Sequence, residues 1–245
     1  KEKGIYVCAN RGVNGMAVAE HAVLLMLASL KRLPYADAGC KEGAEGYKRV
    51  FSHYRATGHK ELSTRTVGLI GLGAIGKMAA NILNAFGCKI FYSDVVRADE
   101  ETEKKYNLHF TTYEEIYEKC DIISYHVPVL PSTTGIINKE AIAKMKQDVI
   151  LINVSRGEIV NNEDLAEALN NGRVFAGLDV VAPEPPEDSH PLLNLNEEGN
   201  RRMIMTPHMA GTTDDAFERM FSWAYESMIK VVQKGEKPNN IVNGL

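Results

Sequence analysis

The strongest constraint on the fold is a glycine-rich turn between an apolar run and a helical pattern. Residues 67–70 are typical of a buried parallel strand, and a helical pattern covers residues 77–85. Between them, Gly71 can make a tight turn, Gly73 can let a pyrophosphate approach the backbone, and Gly76 can let the helix pack on its strand. The turn therefore predicts a dinucleotide site, with the phosphates at a helix N-terminus.

A second apolar run supports this interpretation over a merely structural glycine turn. Residues 89–93 read as a strand that ends at Asp94, 18 residues after Gly76. An acid at this point can accept hydrogen bonds from the ribose hydroxyls, and it would repel a 2′-phosphate. The predicted cofactor is therefore NAD and not NADP.

The bulk composition narrows the class of protein. A chain of 245 residues with 44% hydrophobic residues can form one large domain, or one domain with attachments. The net charge of −4 gives no reason to expect nucleic acid or a membrane as a partner. The four cysteines lack metal-ligand spacing, which favours a reducing compartment and no metal. Without a signal peptide or a membrane-length apolar run, the chain is expected to be cytoplasmic.

Strands and helices are predicted to alternate through most of the chain. The predicted strands are 4–8, 66–71, 88–94, 108–111, 121–127, 149–154, 174–181 and 203–206. The predicted helices are 17–33, 74–86, 97–105, 113–119, 139–145, 161–171 and 213–233, with Pro34 ending the first and Asn162 capping the sixth. Residues 35–62 are polar with little periodicity. The alternation predicts an α/β fold with a parallel, doubly wound sheet.

Polar residues stand where the predicted strands end. Parallel strands bring their carboxyl ends to one edge of the sheet, and ligands bind there. The residues at these ends are Asp94, His126, Ser155, Arg156, Asp179 and His208. We therefore expect them to converge on one crevice.

Arg156 and His208 are the candidates for direct chemistry. The guanidinium of Arg156 suits a carboxylate held by two parallel hydrogen bonds, and the alternative is a surface ion pair. His208 can move one proton near neutral pH, or it can cap the helix that begins near Thr213. The strand-end position favours function for Arg156 and leaves the two interpretations of His208 equally supported.

Glu184 is a candidate partner for His208. It lies between prolines in segment 182–186, where it can hold the imidazole tautomer and favour the imidazolium; the alternative is a solvated loop acid. We interpret His126 as lining the cofactor crevice and His21 as a hydrogen-bonded interface histidine. Since no nucleophile–base pair or metal cluster shows recognisable spacing, a bound cofactor is the simplest source of chemistry.

In their order along the chain, these motifs resemble those of the D-isomer-specific 2-hydroxyacid dehydrogenases. The matching segments are 71–76, Asp94, 126–128 with 133–134, 153–157, 177–179 with 183–185, and 206–208, and residues 18–20, Pro238 and 241–243 also fit. The resemblance covers nearly the whole chain. It implies a Rossmann-type fold, NAD as cofactor and a small 2-hydroxy or 2-keto acid as substrate.

The resemblance also implies roles for individual residues. Arg156 would bind the substrate, and Glu184 and His208 would form the acid–histidine pair of the family. Glu184 argues against formate dehydrogenase, which usually has glutamine there. The residues implied to bind the cofactor are Gly71, Gly73, Ala74, Ile75, Gly76, Asp94, His126, Val127, Pro128, Thr133, Val154, Ser155, Asp179, His208 and Gly211.

Members of this family usually carry a smaller substrate domain, built mostly from their N-terminal third. We expect most of that domain to be absent here, so that the chain is a truncated form that binds NAD and turns over poorly by itself. The expected organisation is an interdomain strand and helix at 1–34, an arm with a dimer contact at 35–62, the NAD-binding domain at 63–212, and a helix and tail toward the substrate domain at 213–245. A homodimer is expected.

The predicted function is hydride transfer between nicotinamide and C2 of a small D-2-hydroxyacid or 2-keto acid. Glyoxylate, hydroxypyruvate, phosphohydroxypyruvate and pyruvate are all candidate substrates, and the segment from Pro183 to Leu193 weakly favours the hydroxypyruvate and glycerate group. One alternative is an NAD-sensing regulator on the same fold, like the C-terminal-binding-protein corepressors. Another is a structural half that needs a separate partner to complete its cleft.

Overall fold

A seven-stranded parallel sheet forms the centre of the computed structural model, which describes residues 2–10 and 12–244. The strands are β1 Thr66–Ile70, β2 Lys89–Ser93, β3 Leu108–Phe110, β4 Ile122–Tyr125, β5 Val149–Asn153, β6 Val174–Leu178 and β7 Met203–Met205. Their order in space is β3-β2-β1-β4-β5-β6-β7, and every neighbouring pair is parallel. The predicted doubly wound sheet is confirmed, and its order reverses between β1 and β4, where such folds bind ligands.

Helices cover both faces of the sheet. They are α1 Gly15–Lys31, α2 Leu33–Lys41, α3 Ala44–Thr57, α4 Ala74–Ala85, α5 Glu100–Tyr106, α6 Tyr113–Lys119, α7 Lys139–Lys144, α8 Asn162–Asn170, α9 Glu197–Arg202 and α10 Asp214–Val232. The helices predicted at 17–33, 74–86, 113–119, 139–145, 161–171 and 213–233 are confirmed within a few residues. Three residues lie outside the described part of the chain. Lys1 and Arg11 belong to the predicted segment 1–34, and Leu245 belongs to the predicted segment 213–245.

Two hydrophobic clusters form because strand side chains alternate between the faces of the sheet. On one face, Val67 and Leu69 of β1 pack in the cluster that contains α1 and α4. On the other face, Ile70 packs in the cluster that contains α6, α7 and α8. At Gly68, an added Cβ would lie 2.4 Å from Ile116 Cγ2 of α6, so the glycine sets how closely that helix approaches the sheet.

The arm 35–62, predicted to have little regular structure, is instead mostly helical. It comprises most of α2 and all of α3, which pack on each other through glycines. A Cβ at Gly39 would lie 2.4 Å from Val50 Cγ2, and one at Gly46 would lie 2.2 Å from the Gly39 carbonyl oxygen. The available signal for α3 was the helical spacing of Tyr47, Val50, Phe51 and Tyr54, which the prediction did not use.

Three local predictions are wrong for identifiable reasons, and one helix was not predicted. Residues 4–8 form no strand and make only an isolated bridge between Cys8 and Ile241. The first helix ends at Lys31, before a left-handed residue, and Pro34 lies in the first turn of α2, where its missing N–H costs nothing. The cap of α8 is Asn161, whose Oδ1 accepts the Asp164 N–H. The short helix α9 was not predicted.

Among residues 2–10 and 12–244, no helix is long and apolar enough to cross a membrane. In the same part of the chain, no group of three or more His, Cys, Asp or Glu side chains is placed to hold a metal ion.

Candidate active site

The glycine turn lies at the carboxyl end of β1, where the strand order reverses. Gly71 has a positive φ of 95°, and a Cβ there would lie 2.6 Å from the carbonyl oxygen of His126. A Cβ at Gly76 would lie 2.3 Å from the Gly71 carbonyl oxygen, whereas Gly73 faces open space. The turn therefore tolerates only glycine at two positions and leaves the third free for a ligand's approach.

The N-terminus of α4 is open for an anion. Its cap residue, Gly73, has no side chain to occupy the first amides, and Ala74 and Ile75 form the start of the first turn. The early N–H groups of a helix lack partners within the helix, and the helix dipole adds positive potential there. This arrangement fits the pyrophosphate of NAD.

Asp94 supports the turn from the end of β2. Its Oδ2 accepts the Leu72 N–H at 2.6 Å, and its Oδ1 accepts the Val96 N–H at 3.3 Å. Nearby, Glu103 binds the guanidinium of Arg97 through two hydrogen bonds of 2.9 Å, and this pairing lowers the pKa of Glu103 to about 2. Arg97 is thus already paired with Glu103 and is not free to bind a 2′-phosphate, which agrees with NAD as cofactor.

Segment 126–133 forms the opposite wall of the turn. Val127 Cγ1 lies 3.1 Å from the position of a Cβ on Gly71, while Thr133 donates its hydroxyl to the Pro128 carbonyl at 2.6 Å and folds the loop. The His126 Nε2 lies 3.0 Å from Ser124 Oγ, and its Nδ1 is buried without a partner. Burial lowers the pKa of His126 to about 4, so its ring is neutral at neutral pH.

The loop after β5 carries Arg156. The buried Asn153 organises it: its Nδ2 donates to the Arg156 carbonyl at 2.8 Å, and its Oδ1 accepts the Ser155 N–H at 3.0 Å. Val154 is also buried, whereas Arg156 is exposed. A Cβ at Gly157 would lie 2.0 Å from the Val181 carbonyl carbon, so this loop packs directly on the start of the segment that carries Glu184.

His208 and Glu184 form the pair that the sequence predicted. The His208 Nδ1 lies 2.9 Å from Oε1 and 3.0 Å from Oε2 of Glu184. Since a carboxylate only accepts, Nδ1 carries a proton and donates, and Nε2 is left for a substrate. The pair lines a cavity of about 730 Å³ whose other walls include Val181, Pro186 and Met205.

Asp179 lies beneath this pair, almost completely buried. Its Oδ1 accepts the Met209 N–H at 3.0 Å, its Oδ2 accepts the Ala210 N–H at 2.9 Å, and its backbone carbonyl accepts the His208 N–H at 2.7 Å. The carboxylate is thus used to hold the His208 loop. Gly211 lies beyond that loop, where a Cβ would be 2.4 Å from Asn14 Nδ2.

No individual role was predicted for Thr206 or His190, although both lie in segments that resemble the family. Thr206 donates its hydroxyl to Asp179 and lies 2.9 Å from the Nε2 of His21, so the predicted hydrogen bond of His21 is present. The buried His190 lies 3.2 Å from the Ala182 carbonyl and fixes the start of the Glu184 segment. A polar residue directly before Pro207 was the available signal for Thr206; His190 offered none, because its partner is set by the fold.

A dinucleotide turn at the switch point of a parallel sheet, with an acid–histidine pair at the same edge, defines the class of nicotinamide-dependent oxidoreductases. Residues 23–210 match the NAD-binding domain of the D-isomer specific 2-hydroxyacid dehydrogenase family.

Individual relatives agree with that match. Glyoxylate reductase of Thermofilum pendens is 38% identical over 243 residues, which cover 99% of this chain and 69% of the relative. Hydroxypyruvate reductase of Thermotoga maritima is 37% identical over 233 residues, which cover 94% and 71%. The structure of Aquifex aeolicus D-lactate dehydrogenase complexed with NAD and lactic acid has a TM-score of 0.82 at 31% identity, covering 100% of this chain and 75% of that chain.

The chain therefore belongs to the D-isomer specific 2-hydroxyacid dehydrogenases, and its cofactor is NAD.

Proposed function

We propose that this protein reduces a small 2-keto acid, glyoxylate or hydroxypyruvate, to the D-2-hydroxyacid with NADH. The observation that carries the proposal is the 2.9 Å contact between His208 Nδ1 and Glu184 Oε1 at the edge of the sheet that holds the glycine turn. The two substrates are those named in the reductases from Thermofilum pendens and Thermotoga maritima.

The glycine turn and the α4 N-terminus would hold the pyrophosphate, and Asp94 would accept hydrogen bonds from the ribose hydroxyls. Bound NAD supplies the hydride donor and acceptor. The walls of the nicotinamide end would come from Val127, Pro128 and the loop after β5. These residues fit the cofactor because Gly73 is open and the first amides of α4 have no side-chain cap.

Each of the three candidate catalytic residues has one role. Arg156 would bind the substrate carboxylate and keto oxygen, because its guanidinium is exposed and presents a planar fork. In this structure its Nη1 donates to the Ser155 carbonyl at 2.6 Å, so the side chain would turn toward the cavity when substrate binds. His208 would donate the Nε2 proton to the oxygen as the alkoxide develops, and it would take that proton back in the oxidation direction. Glu184 would hold Nδ1–H and stabilise the imidazolium.

We also propose roles for the outer segments. The helix α10 has one buried residue, Ala216, and exposes a row of large apolar side chains that includes Phe221, Tyr225 and Met228. Such a row is expected to be covered, which supports a helix directed toward a substrate domain. On the arm, the exposed rings of Tyr47 and Phe51 are stacked with their centroids 6.3 Å apart. Because this pair is apolar and open to solvent, it supports a dimer contact there.

The free thiols support a reducing, cytoplasmic compartment. Cys8, Cys40, Cys88 and Cys120 are all unpaired, and burial raises the pKa of the Cys120 thiol to about 12, which makes it unreactive.

A steady-state assay tests the proposed function. The protein with its complete natural sequence is mixed with NADH and, separately, with glyoxylate, hydroxypyruvate, phosphohydroxypyruvate and pyruvate, and NADH oxidation is followed by absorbance. We expect the highest kcat/KM with glyoxylate or hydroxypyruvate. Tight NADH binding without reduction of any keto acid would contradict the proposal and favour the NAD-sensing regulator, which the relatives do not support.

A further inference from the structure

We propose that His21 is a positioning residue for His208, acting through Thr206 and Asp179. The inference rests on the proposed function of His208 as the proton donor. His21 lies on α1, far from the other three residues in the sequence and close to them in space.

The link begins with a hydrogen bond whose direction can be assigned. The Thr206 hydroxyl donates its only hydrogen to Asp179 Oδ1, because a buried carboxylate can only accept. The same oxygen of Thr206 lies 2.9 Å from His21 Nε2. With its hydrogen already used, Thr206 Oγ1 accepts there, so His21 carries a proton on Nε2 and donates it.

His21 also faces the carboxylate itself, since its Nε2 lies 3.5 Å from Asp179 Oδ1. His21 is 8% exposed and Asp179 is 1% exposed, so water does not compete for these contacts. A hydrogen bond into a buried carboxylate is stronger and more directional than one at the surface.

Asp179 connects His21 and Thr206 to the backbone of the His208 loop through hydrogen bonds. Its two carboxylate oxygens accept the N–H groups of Met209 and Ala210, and its carbonyl accepts that of His208. His208 has a positive φ of 54°, a conformation that a non-glycine residue keeps only when its surroundings fix it. The three hydrogen bonds to Asp179 provide that fixation at the strained residue itself and at the two residues that follow it.

The helix α1, which carries His21, is held by the sheet and by α4. The helix α1 packs against β5, β6 and β7, and its N-terminal end touches α4 beside the glycine turn, where a Cβ at Gly15 would lie 3.0 Å from Met78 Sδ. One helix thus contacts both the cofactor side of the crevice and the anchor of His208. Loss of the His21 donor should loosen the His208 loop and leave the glycine turn in place.

Two substitutions of similar size separate positioning from packing. His21→Gln can place an amide N–H near the position of Nε2, whereas His21→Leu fills similar volume without a donor. We expect His21→Leu to lower kcat about tenfold or more, because small misplacements of a catalytic group are costly, with the Kd for NADH nearly unchanged. His21→Gln should recover most of the lost kcat.

Hydrogen exchange followed by mass spectrometry tests the link without turnover. The amides of Met209 and Ala210 should exchange faster in His21→Leu than in the wild type and His21→Gln. Equal exchange and equal kcat in all three proteins would overturn the proposal, as would a loss of kcat that His21→Gln does not recover. If the wild type reduced no keto acid, the proposed function would fail, and the exchange comparison would still decide whether His21 holds the loop.

Discussion

The half-buried His126, whose Nδ1 is shielded from water, should make the fold sensitive to mild acid. Its Nδ1 has no partner, and burial holds its pKa at about 4 instead of the ordinary 6.5. Between these two values the unfolded chain binds a proton that the native ring does not. The free energy of unfolding is therefore highest above pH 6.5 and falls as the pH is lowered toward 4.

The size of the effect follows from the two pKa values. At about 1.4 kcal/mol per pKa unit, the difference corresponds to a loss of about 3 kcal/mol once both states are protonated. About 2 kcal/mol of that loss should occur between pH 7 and pH 5. For a chain of this size, that corresponds to a lowering of Tm by about 4–8 °C.

The assay compares urea unfolding of the wild type and His126→Gln at pH 7 and pH 5. Glutamine does not titrate in this range and retains a donor toward Ser124 Oγ. We expect the wild type to lose about 2 kcal/mol more stability than the variant between the two pH values. The control is His109→Gln, at an exposed position on β3, which should behave like the wild type. An equal pH dependence in the wild type and His126→Gln would refute the reasoning.

Three further substitutions probe the crevice. Gly76→Ala places a Cβ 2.3 Å from the Gly71 carbonyl oxygen and should displace the turn, weakening NADH binding about tenfold or more in a fluorescence titration; an unchanged Kd would contradict this. Asp94→Asn keeps an acceptor for the Leu72 N–H and removes the charge that repels a 2′-phosphate. The affinity for NADPH relative to NADH should therefore rise about tenfold. An unchanged ratio of the two affinities would contradict the role of Asp94 in selecting NADH over NADPH. Arg156→Lys loses the planar fork and should raise the KM for the keto acid about tenfold without affecting NADH binding; the opposite pattern would place Arg156 on the cofactor.

The parts of the fold that sequence predicts well are those whose signal is local. The strand β1, the glycine turn and α4 follow from an apolar run, fixed glycine spacing and helical periodicity within about twenty residues. The pairing of His208 with Glu184 was also predicted, but position alone left the alternatives open for both residues, and the resemblance to the family supplied the assignment.

The missed features depend on contacts between distant residues. The packing of α2 on α3 uses Gly39 and Gly46, and a glycine gives no sequence signal for the contact that it makes. The contact of Asp179 with the cofactor stays a prediction, and the sequence did not indicate that its carboxylate binds the amides that follow His208. The hydrogen bond from His21 to Thr206 joins residues 185 positions apart, and no pattern within either segment could have predicted it.

The most direct test of the central claim is the rate of hydride transfer in His208→Ala. A stopped-flow measurement with the complete natural protein, NADH and glyoxylate or hydroxypyruvate follows NADH absorbance after mixing. The rate should fall by about 10²–10⁴-fold because the proton donor is lost, while NADH affinity stays nearly unchanged and the control His109→Ala keeps the wild-type rate. A wild-type rate in His208→Ala would contradict the assignment of His208 as the proton donor.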